Sequence, residues 1–216
     1  MHFSKFIFDF DGTLVDSMPT WTEKMLRILK KEGIDYPDDI VKTITPLGDF
    51  GTARYFKEVL GARSNIEDML AEMDDFALPR YENDITLKPG VMEYLTKLKK
   101  EGCSLSVLTA SPRKMLIPCL ENNGIYDLFD NIWSSDDFGK SKADPSIYLE
   151  VAAIIGPNPR EIAFFDDNLN AISAASHAGF YTIGVYDDSG SFFEDEMIHS
   201  SNRYVYSFTE LVNANI

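Results

Sequence analysis

Lys5-Phe6-Ile7-Phe8-Asp9-Phe10-Asp11-Gly12-Thr13-Leu14-Val15-Asp16-Ser17 is the stretch from which the rest of the chain can be read. Lys5 to Phe10 is a short run rich in Phe and Ile that breaks at Asp11-Gly12-Thr13, the pattern of a strand buried on both faces that runs into a tight turn. Asp9 and Asp11 sit two apart at the strand's C-terminal end, so strand periodicity sends both side chains to one side. Open parallel sheets bind ligands at that edge. Asp11 could simply start a loop, but a carboxylate at position 9, set among aromatic residues, is costly to bury unless a cation meets it. Gly12 permits the turn and lets a ligand approach the backbone. Four fixed residues in Asp-x-Asp-Gly-Thr, each at a background of roughly 5 to 7%, give odds of about 1 in 500 for a chance match, so further signals are needed.

Further strands are expected at Leu105 to Thr109, Asn131 to Ser134, Ile162 to Phe165 and Tyr181 to Tyr186, with helical periodicity between them. Alternating strand and helix predicts an α/β protein, a Rossmann-like parallel sheet with helices on both faces. Pro89-Gly90 opens a helix through Val91, Tyr94, Leu95 and Leu98 that ends in lysines and Gly102. Asp144-Pro145 reads as an N-cap with Pro at the first helical position, leading through Tyr148 and Val151 to Gly156. Ala171 to Ala178 is a small-residue helix stopped by Gly179, and the acidic stretch Asp187 to Glu196 reads as a solvated loop and helix start. Between Asp16 and Lys88 lie 72 positions, far more than the dozen or so that a crossover requires. The excess reads as an inserted α-helical cap domain. Thr20 and Glu23 predict a capping box before Trp21, Met25, Ile28 and Leu29, and Ser64 and Glu67 predict another before Ile66, Met69, Leu70 and Met73. The expected division is a core of residues 1–16 and 86–216 and a cap of residues 17–85.

Three more signals accompany Asp9 and Asp11. Thr109 ends its strand before Ala110-Ser111-Pro112, which places a hydroxyl and a turn of free amides at the same sheet edge, where they can hold a phosphate. Alone, it would be an ordinary strand end. Lys142 lies just before the Asp144-Pro145 helix start; alone, it would be a surface lysine. Ile162-Ala163-Phe164-Phe165 ends in Asp166-Asp167, and adjacent acids at a sheet edge repel unless a divalent cation lies between them. Asp9, Asp11, Asp166 and Asp167 together make a hard oxygen site suited to Mg²⁺. His2, His177 and His199 are scattered and show no metal spacing.

The 216 residues are 44% apolar and 25% charged, with 35 acids against 20 Lys and Arg and a formal charge of −15. This excludes a disordered chain and argues against nucleic acid or an anionic membrane as partner, since both need a basic footprint. No apolar run approaches a bilayer span, and the N-terminal residues form no signal-peptide core. Cys103 and Cys119, 16 positions apart, form neither a metal nor a redox motif, so two buried thiols in a reducing cytoplasm are expected.

With its four signals in order, the sequence resembles the haloacid dehalogenase superfamily, in the branch of phosphoglycolate phosphatase-like and beta-phosphoglucomutase-like enzymes. The resemblance spans nearly the whole chain, from Asp9 to Ser17 through Lys88-Pro89-Gly90-Val91 to Asp166-Asp167 and the small residues Ala174, Ala175, Ala178 and Gly179. It implies a phosphatase acting on a small phosphorylated metabolite, with Asp9 as nucleophile forming an aspartyl phosphate and Asp11 as general acid and base. It implies Mg²⁺ held by Asp9, the Asp11 carbonyl and Asp166 or Asp167, with Thr109 and Lys142 on the phosphoryl oxygens. Gly12, Thr13, Ala110 and Ser111 would line the phosphoryl pocket. Lys140 competes with Lys142, because relatives often carry Pro directly after the lysine; Lys142 sets Pro145, Ile147 and Tyr148 in register. Asn168 stands where Ser is common. In the cap, Leu47 to Arg54 is the expected loop reaching the leaving group, with Arg54 a candidate anion contact. A sugar phosphomutase keeps every core motif and is the alternative. A phospho-acceptor module would lack both the cap and the general acid.

Overall fold

The computed structural model describes residues 3–156 and 158–214; His2 lies outside them. The strands are β1 (Lys5–Phe8), β2 (Ser104–Thr109), β3 (Asn131–Ser134), β4 (Ile162–Asp166), β5 (Tyr181–Val185) and β6 (Arg203–Val205). They form one all-parallel sheet in the order β3-β2-β1-β4-β5-β6. Crossovers leave β1 toward β2 on one side and return from β3 to β4 on the other. The reversal opens a crevice at the carboxyl ends of β1 and β4, the usual ligand position of such sheets.

Helices α1 (Met18–Glu32), α2 (Ile40–Ile44), α3 (Gly48–Glu58) and α4 (Ile66–Asn83) precede α5 (Val91–Lys100), α6 (Arg113–Asn122), α7 (Pro145–Ile155), α8 (Leu169–His177), α9 (Glu194–Ser200) and α10 (Thr209–Val212). Alternate strand residues divide between two cores. Phe6, Phe8, Val107, Phe165 and Ile183 pack with α5, α6 and α10. Ile7, Leu108, Ile162 and Phe164 pack with α7 and α8. The period of two along a strand therefore buries both faces of the sheet. Phe8 and Phe165, register partners on β1 and β4, stack with ring centroids 4.7 Å apart, and this contact fixes the two strands that end at the crevice.

The first four helices share a third apolar cluster of their own, including Met25, Leu29, Ile44, Phe56 and Met73. The two connections to this layer run side by side: Val15 bridges Leu87, Asp16 N–H donates to Thr86, and Lys88 N–H donates to Leu14. The chain therefore leaves and re-enters the sheet at one place, and α4 also joins the apolar core beside α6 through Ala77 and Tyr81.

Several expected details change. β1 stops at Phe8, and Phe10 belongs to a turn in which Leu14 and Val15 both donate to its carbonyl. The Thr20 box does not form: α1 starts at Met18 with Ser17 at its cap position and Pro19 in its first turn. Pro19 has no N–H to satisfy, and the Ser17 hydroxyl donates to Asp11 instead. The second box shifts by one residue, to Asn65, whose side chain accepts from Asp68 N–H at 2.7 Å. The expected loop from Leu47 to Arg54 is mostly the start of α3. Strand β6, only three residues long, lacks the run length that makes a strand visible in sequence.

Candidate active site

Every strand that borders the crevice delivers a polar group to it. Asp9 follows β1, Thr109 ends β2 and Asp166 ends β4, and all three are buried. Asp9 N–H donates to the Phe165 carbonyl at 2.8 Å, which extends the β1–β4 ladder by one residue and holds Asp9 at the mouth of the sheet.

The cation that a buried Asp9 demands is Lys142. Its ammonium lies 2.5 Å from Asp9 Oδ1 and 2.6 Å from Asp166 Oδ2. The Tyr148 hydroxyl donates to the Lys142 carbonyl at 2.8 Å, so α7 pins the segment that carries the lysine. Lys140 pairs with Glu150 on the outside. Of the two lysines, the fold brings Lys142, not Lys140, to these carboxylates.

Asp9, Asp166 and Asp167 each bring a carboxylate oxygen within 4.8 Å of the others. Asp166 has Lys142 on one oxygen and Asn168 N–H on the other at 2.7 Å. Asp167 Oδ1 accepts from the Thr13 hydroxyl at 3.0 Å. Asn168 caps α8 by accepting from Asn170 and Ala171 N–H, which gives this residue a structural role. Burial raises the Asp9 pKa to about 7, Asp166 and Asp11 add to the shift, and Lys142 opposes it. Burial also raises Asp166, and it raises Asp167 well above the carboxylate range with the help of Asp166 and Asp9. Burial works against the Lys142 ammonium, but Asp166 and Asp9 hold its pKa above the usual lysine value. Once all three carboxylates are ionised, they leave a surplus of two negative charges over the one ammonium. An all-oxygen donor set with that surplus fits a hard divalent cation.

Asp11 differs from the expectation of a fourth carboxylate in this group. Its side chain lies outside the trio and accepts from three hydroxyls: Ser17 at 2.6 Å, Tyr81 at 2.5 Å, and Ser111. Ser17 precedes α1, Tyr81 lies in the last turn of α4, and Ser111 belongs to the sheet edge. Ser111 N–H in turn donates to Thr109 Oγ1 at 3.1 Å, so Thr109, Ser111 and Asp11 form one chain, while Ala110 is exposed. Gly12 has φ +71°, and a Cβ there would meet Asp167 Oδ2 at 2.5 Å. Only glycine fits both constraints. Arg54 is not brought to this group; it is exposed on α3 beside Glu58.

Sequence reading missed two members of the arrangement. Lys88 donates to the carbonyls of Gly12 and Tyr186, both at 2.6 Å, and pairs with Asp187 at 3.0 Å. It therefore ties the β1 turn to the end of β5. Asp187, expected in a solvated loop, is buried. The other omission is Tyr81, a fully buried tyrosine on a helix whose apolar stripe gave no reason to separate it from the core. Lys88 was visible only as the start of Lys-Pro-Gly.

A model of haloacid dehalogenase-like hydrolases matches residues 6–185. Hexitol phosphatase B of Escherichia coli K12 is 30% identical over 185 residues, covering 83% of this chain and 82% of that one. A phosphoglycolate phosphatase of Thiobacillus denitrificans is 28% identical over 180 residues, covering 80% and 78%. Among solved structures, CbbY from Rhodobacter sphaeroides in complex with phosphate superposes with a TM-score of 0.82 at 22% identity, over 97% of this chain and 96% of that one.

Proposed function

The chain belongs to the haloacid dehalogenase-like hydrolase family, and on that premise we propose that it is a Mg²⁺-dependent phosphomonoesterase that hydrolyses small phosphorylated metabolites through an aspartyl phosphate on Asp9. The observation that carries this reading is the buried Asp9, held on one oxygen by Lys142 beside Asp166 and Asp167, with the Asp11 carboxylate separately held at the same sheet edge. The names of the relatives above support phosphate ester hydrolysis as the reaction class.

Lys142 occupies Asp9 Oδ1, which leaves Oδ2 to attack phosphorus. The P–O bond to the alcohol breaks as the Asp9–phosphorus bond forms, and protonated Asp11 gives its proton to the departing alkoxide. Asp11 then takes a proton from a water molecule whose oxygen attacks the aspartyl phosphate, releasing inorganic phosphate and restoring Asp9. Mg²⁺, held by Asp9, Asp166 and Asp167, would screen the repulsion between two anions and draw charge from the phosphoryl oxygens. Lys142 and the amides after Thr109 share that charge, and Gly12 and Thr13 close the pocket.

Residues 17–85 act as a cap over a core of residues 1–16 and 86–216. Because Ser17 and Tyr81 both donate to Asp11, movement of the cap also moves the hydrogen bonds that position the acid, which couples closure to catalysis. The free, buried thiols of Cys103 and Cys119 suit a reducing compartment, and the cytoplasm is the proposed location. No described helix is long and apolar enough to cross a membrane.

The test is phosphate release from a panel of phosphomonoesters, with and without Mg²⁺, for the wild type and Asp9→Asn. Metal-dependent release that Asp9→Asn abolishes, with an unchanged circular dichroism spectrum, is expected. Wild-type activity in the variant would refute the mechanism. Isomerisation of a sugar phosphate without phosphate release would make the chain a mutase, and a stable phosphoprotein would make it a phospho-acceptor.

A further inference from the structure

Lys88 stands where the chain returns from the helical layer, and an ammonium has three donors. All three are in use, on the Gly12 and Tyr186 carbonyls and on Asp187 Oδ2. The backbone of Lys88 holds the β1 turn a second time, its N–H donating to the Leu14 carbonyl at 2.9 Å. Asp187 is matched as fully, since its other oxygen accepts from the Ser189 N–H at 2.9 Å and from the Ser189 hydroxyl at 2.6 Å. A buried pair of this kind is often no more stabilising than two well-packed apolar residues, so stability alone does not account for it. What the pair joins are the two segments that enclose Asp167. On one side is the β1 turn, where the Thr13 hydroxyl donates to Asp167 Oδ1 and Gly12 lies so close that a Cβ would meet Oδ2 at 2.5 Å. On the other side is the loop after β5, where a Cβ on Gly190 would lie 3.5 Å from the Asp167 carbonyl oxygen. Asp9 and Asp166 have Lys142 against them, whereas among the described residues no ammonium pairs with Asp167. The turn and the loop are its supports.

We propose that Lys88 is a positioning residue for the divalent cation: by clamping the Gly12 carbonyl to the end of β5 it keeps Asp167 beside Asp9 and Asp166, and Asp187 cancels the charge of the clamp. This rests on the carboxylate trio as the Mg²⁺ site of the phosphomonoesterase reading and adds what keeps the trio assembled. Groups that hold a metal ligand, rather than the metal, orient that ligand and tune its affinity. The charge of Lys88 acts in the opposite direction, because an ammonium next to the turn repels a second cation. Removing the lysine therefore separates three roles by sign. Mg²⁺ binds more tightly if Lys88 matters only through its charge, equally well if it only stabilises the fold, and more weakly if it positions Asp167.

The test is calorimetric titration of Mg²⁺ into the metal-free protein, each variant held well below its melting temperature, for the wild type, Lys88→Met and the double variant Lys88→Met with Asp187→Asn. The double variant removes one charge of each sign, so it leaves no uncompensated buried acid and keeps the local charge sum constant, and its amide oxygen still accepts from Ser189 N–H. Its affinity therefore reads geometry alone, and it decides the matter if the single variant is too unstable to titrate. Both variants are expected to bind Mg²⁺ about ten- to hundredfold more weakly than the wild type. Leu98→Ala is the control for lost stability: Leu98 is buried in α5 and its carbonyl accepts from Cys103 N–H just before β2, at the end of the sheet away from the carboxylates, so it should bind Mg²⁺ as the wild type does. Unchanged or tighter binding in the double variant, or an equal loss in Leu98→Ala, would overturn the inference and leave the phosphomonoesterase reading standing. A wild type that takes up no Mg²⁺ would also overturn it, and if that protein released no phosphate from p-nitrophenyl phosphate either, both would fall.

Discussion

Replacing Lys142 with Met removes the one ammonium that lies against both Asp9 and Asp166, at 2.5 and 2.6 Å. Met nearly matches the volume of the lysine stem, so the change is mainly one of charge. Breaking a buried ion pair by removing one partner costs about 3–5 kcal/mol, because the remaining charge is left uncompensated. For a chain of this size, each kcal/mol moves the melting temperature by roughly 2–4 °C, so a fall of about 6–20 °C is expected in metal-free buffer. The loss depends on pH in a definite direction. Asp9 already has its folded pKa raised from 3.8 to about 7, so its ionised form costs stability that begins above 3.8 and is complete above about 7. Without Lys142 this pKa rises further, and the destabilisation should be larger at pH 8 than at pH 5.5. The raised lysine pKa contributes stability that is constant across this window and is lost only at more alkaline pH. Lys140→Met is the control, since its pair with Glu150 is partly exposed and should be worth no more than about 1 kcal/mol. Differential scanning calorimetry at the two pH values, with turnover measured in parallel, reads the result. Phosphate release in Lys142→Met should fall by about a hundredfold or more, as for loss of one group that stabilises transition-state charge. Equal effects of the two variants, or a Lys142→Met protein as stable and active as the wild type, would refute the assignment of this lysine.

Mg²⁺ should raise the melting temperature of the wild type more at pH 8 than at pH 5.5, because the raised carboxylates of Asp9, Asp166 and Asp167 must lose protons to bind it; a pH-independent shift would count against this trio as the metal site. Gly12→Ala should destabilise the protein by about 1–3 kcal/mol through positive φ and should also weaken Mg²⁺ binding, because the new methyl group meets Asp167 Oδ2; calorimetric titration of the variant measures both. Lys88→Met should cost about 3–5 kcal/mol, since it leaves Asp187 without its cation and the carbonyls of Gly12 and Tyr186 without this donor, Ser189 remaining on the other Asp187 oxygen; a loss below about 1 kcal/mol in urea unfolding would show that these groups find other partners.

What could be read in advance was whatever depends on neighbours in sequence. The apolar runs at Lys5, Leu105, Ile162 and Tyr181, the Asp144-Pro145 helix start and Gly156 at the end of α7 all express local periodicity or backbone preference, and they recur in the fold. The excess of residues between Asp16 and Lys88 required an insertion on chain length alone. Asp9 also announced its need for a cation, since the cost of burying a carboxylate is local. Which cation answers it was legible only in part. Lys140 and Lys142 are two residues apart, and register with Pro145, Ile147 and Tyr148 favours Lys142 in sequence; the packing of Tyr148 and the ends of β1 and β4 is what sends Lys142 inward and Lys140 out to Glu150. The same holds for Ser17, whose hydroxyl would serve equally well as a helix cap but meets Asp11 instead. Lys88, Asp187 and Tyr81 acquire their roles through partners 70 to 99 positions away. Local pattern determined which segments become strands and helices and which carboxylates reach the sheet edge. The pairing of charges and hydroxyls around those carboxylates depends on contacts between distant segments, and only the folded chain creates them.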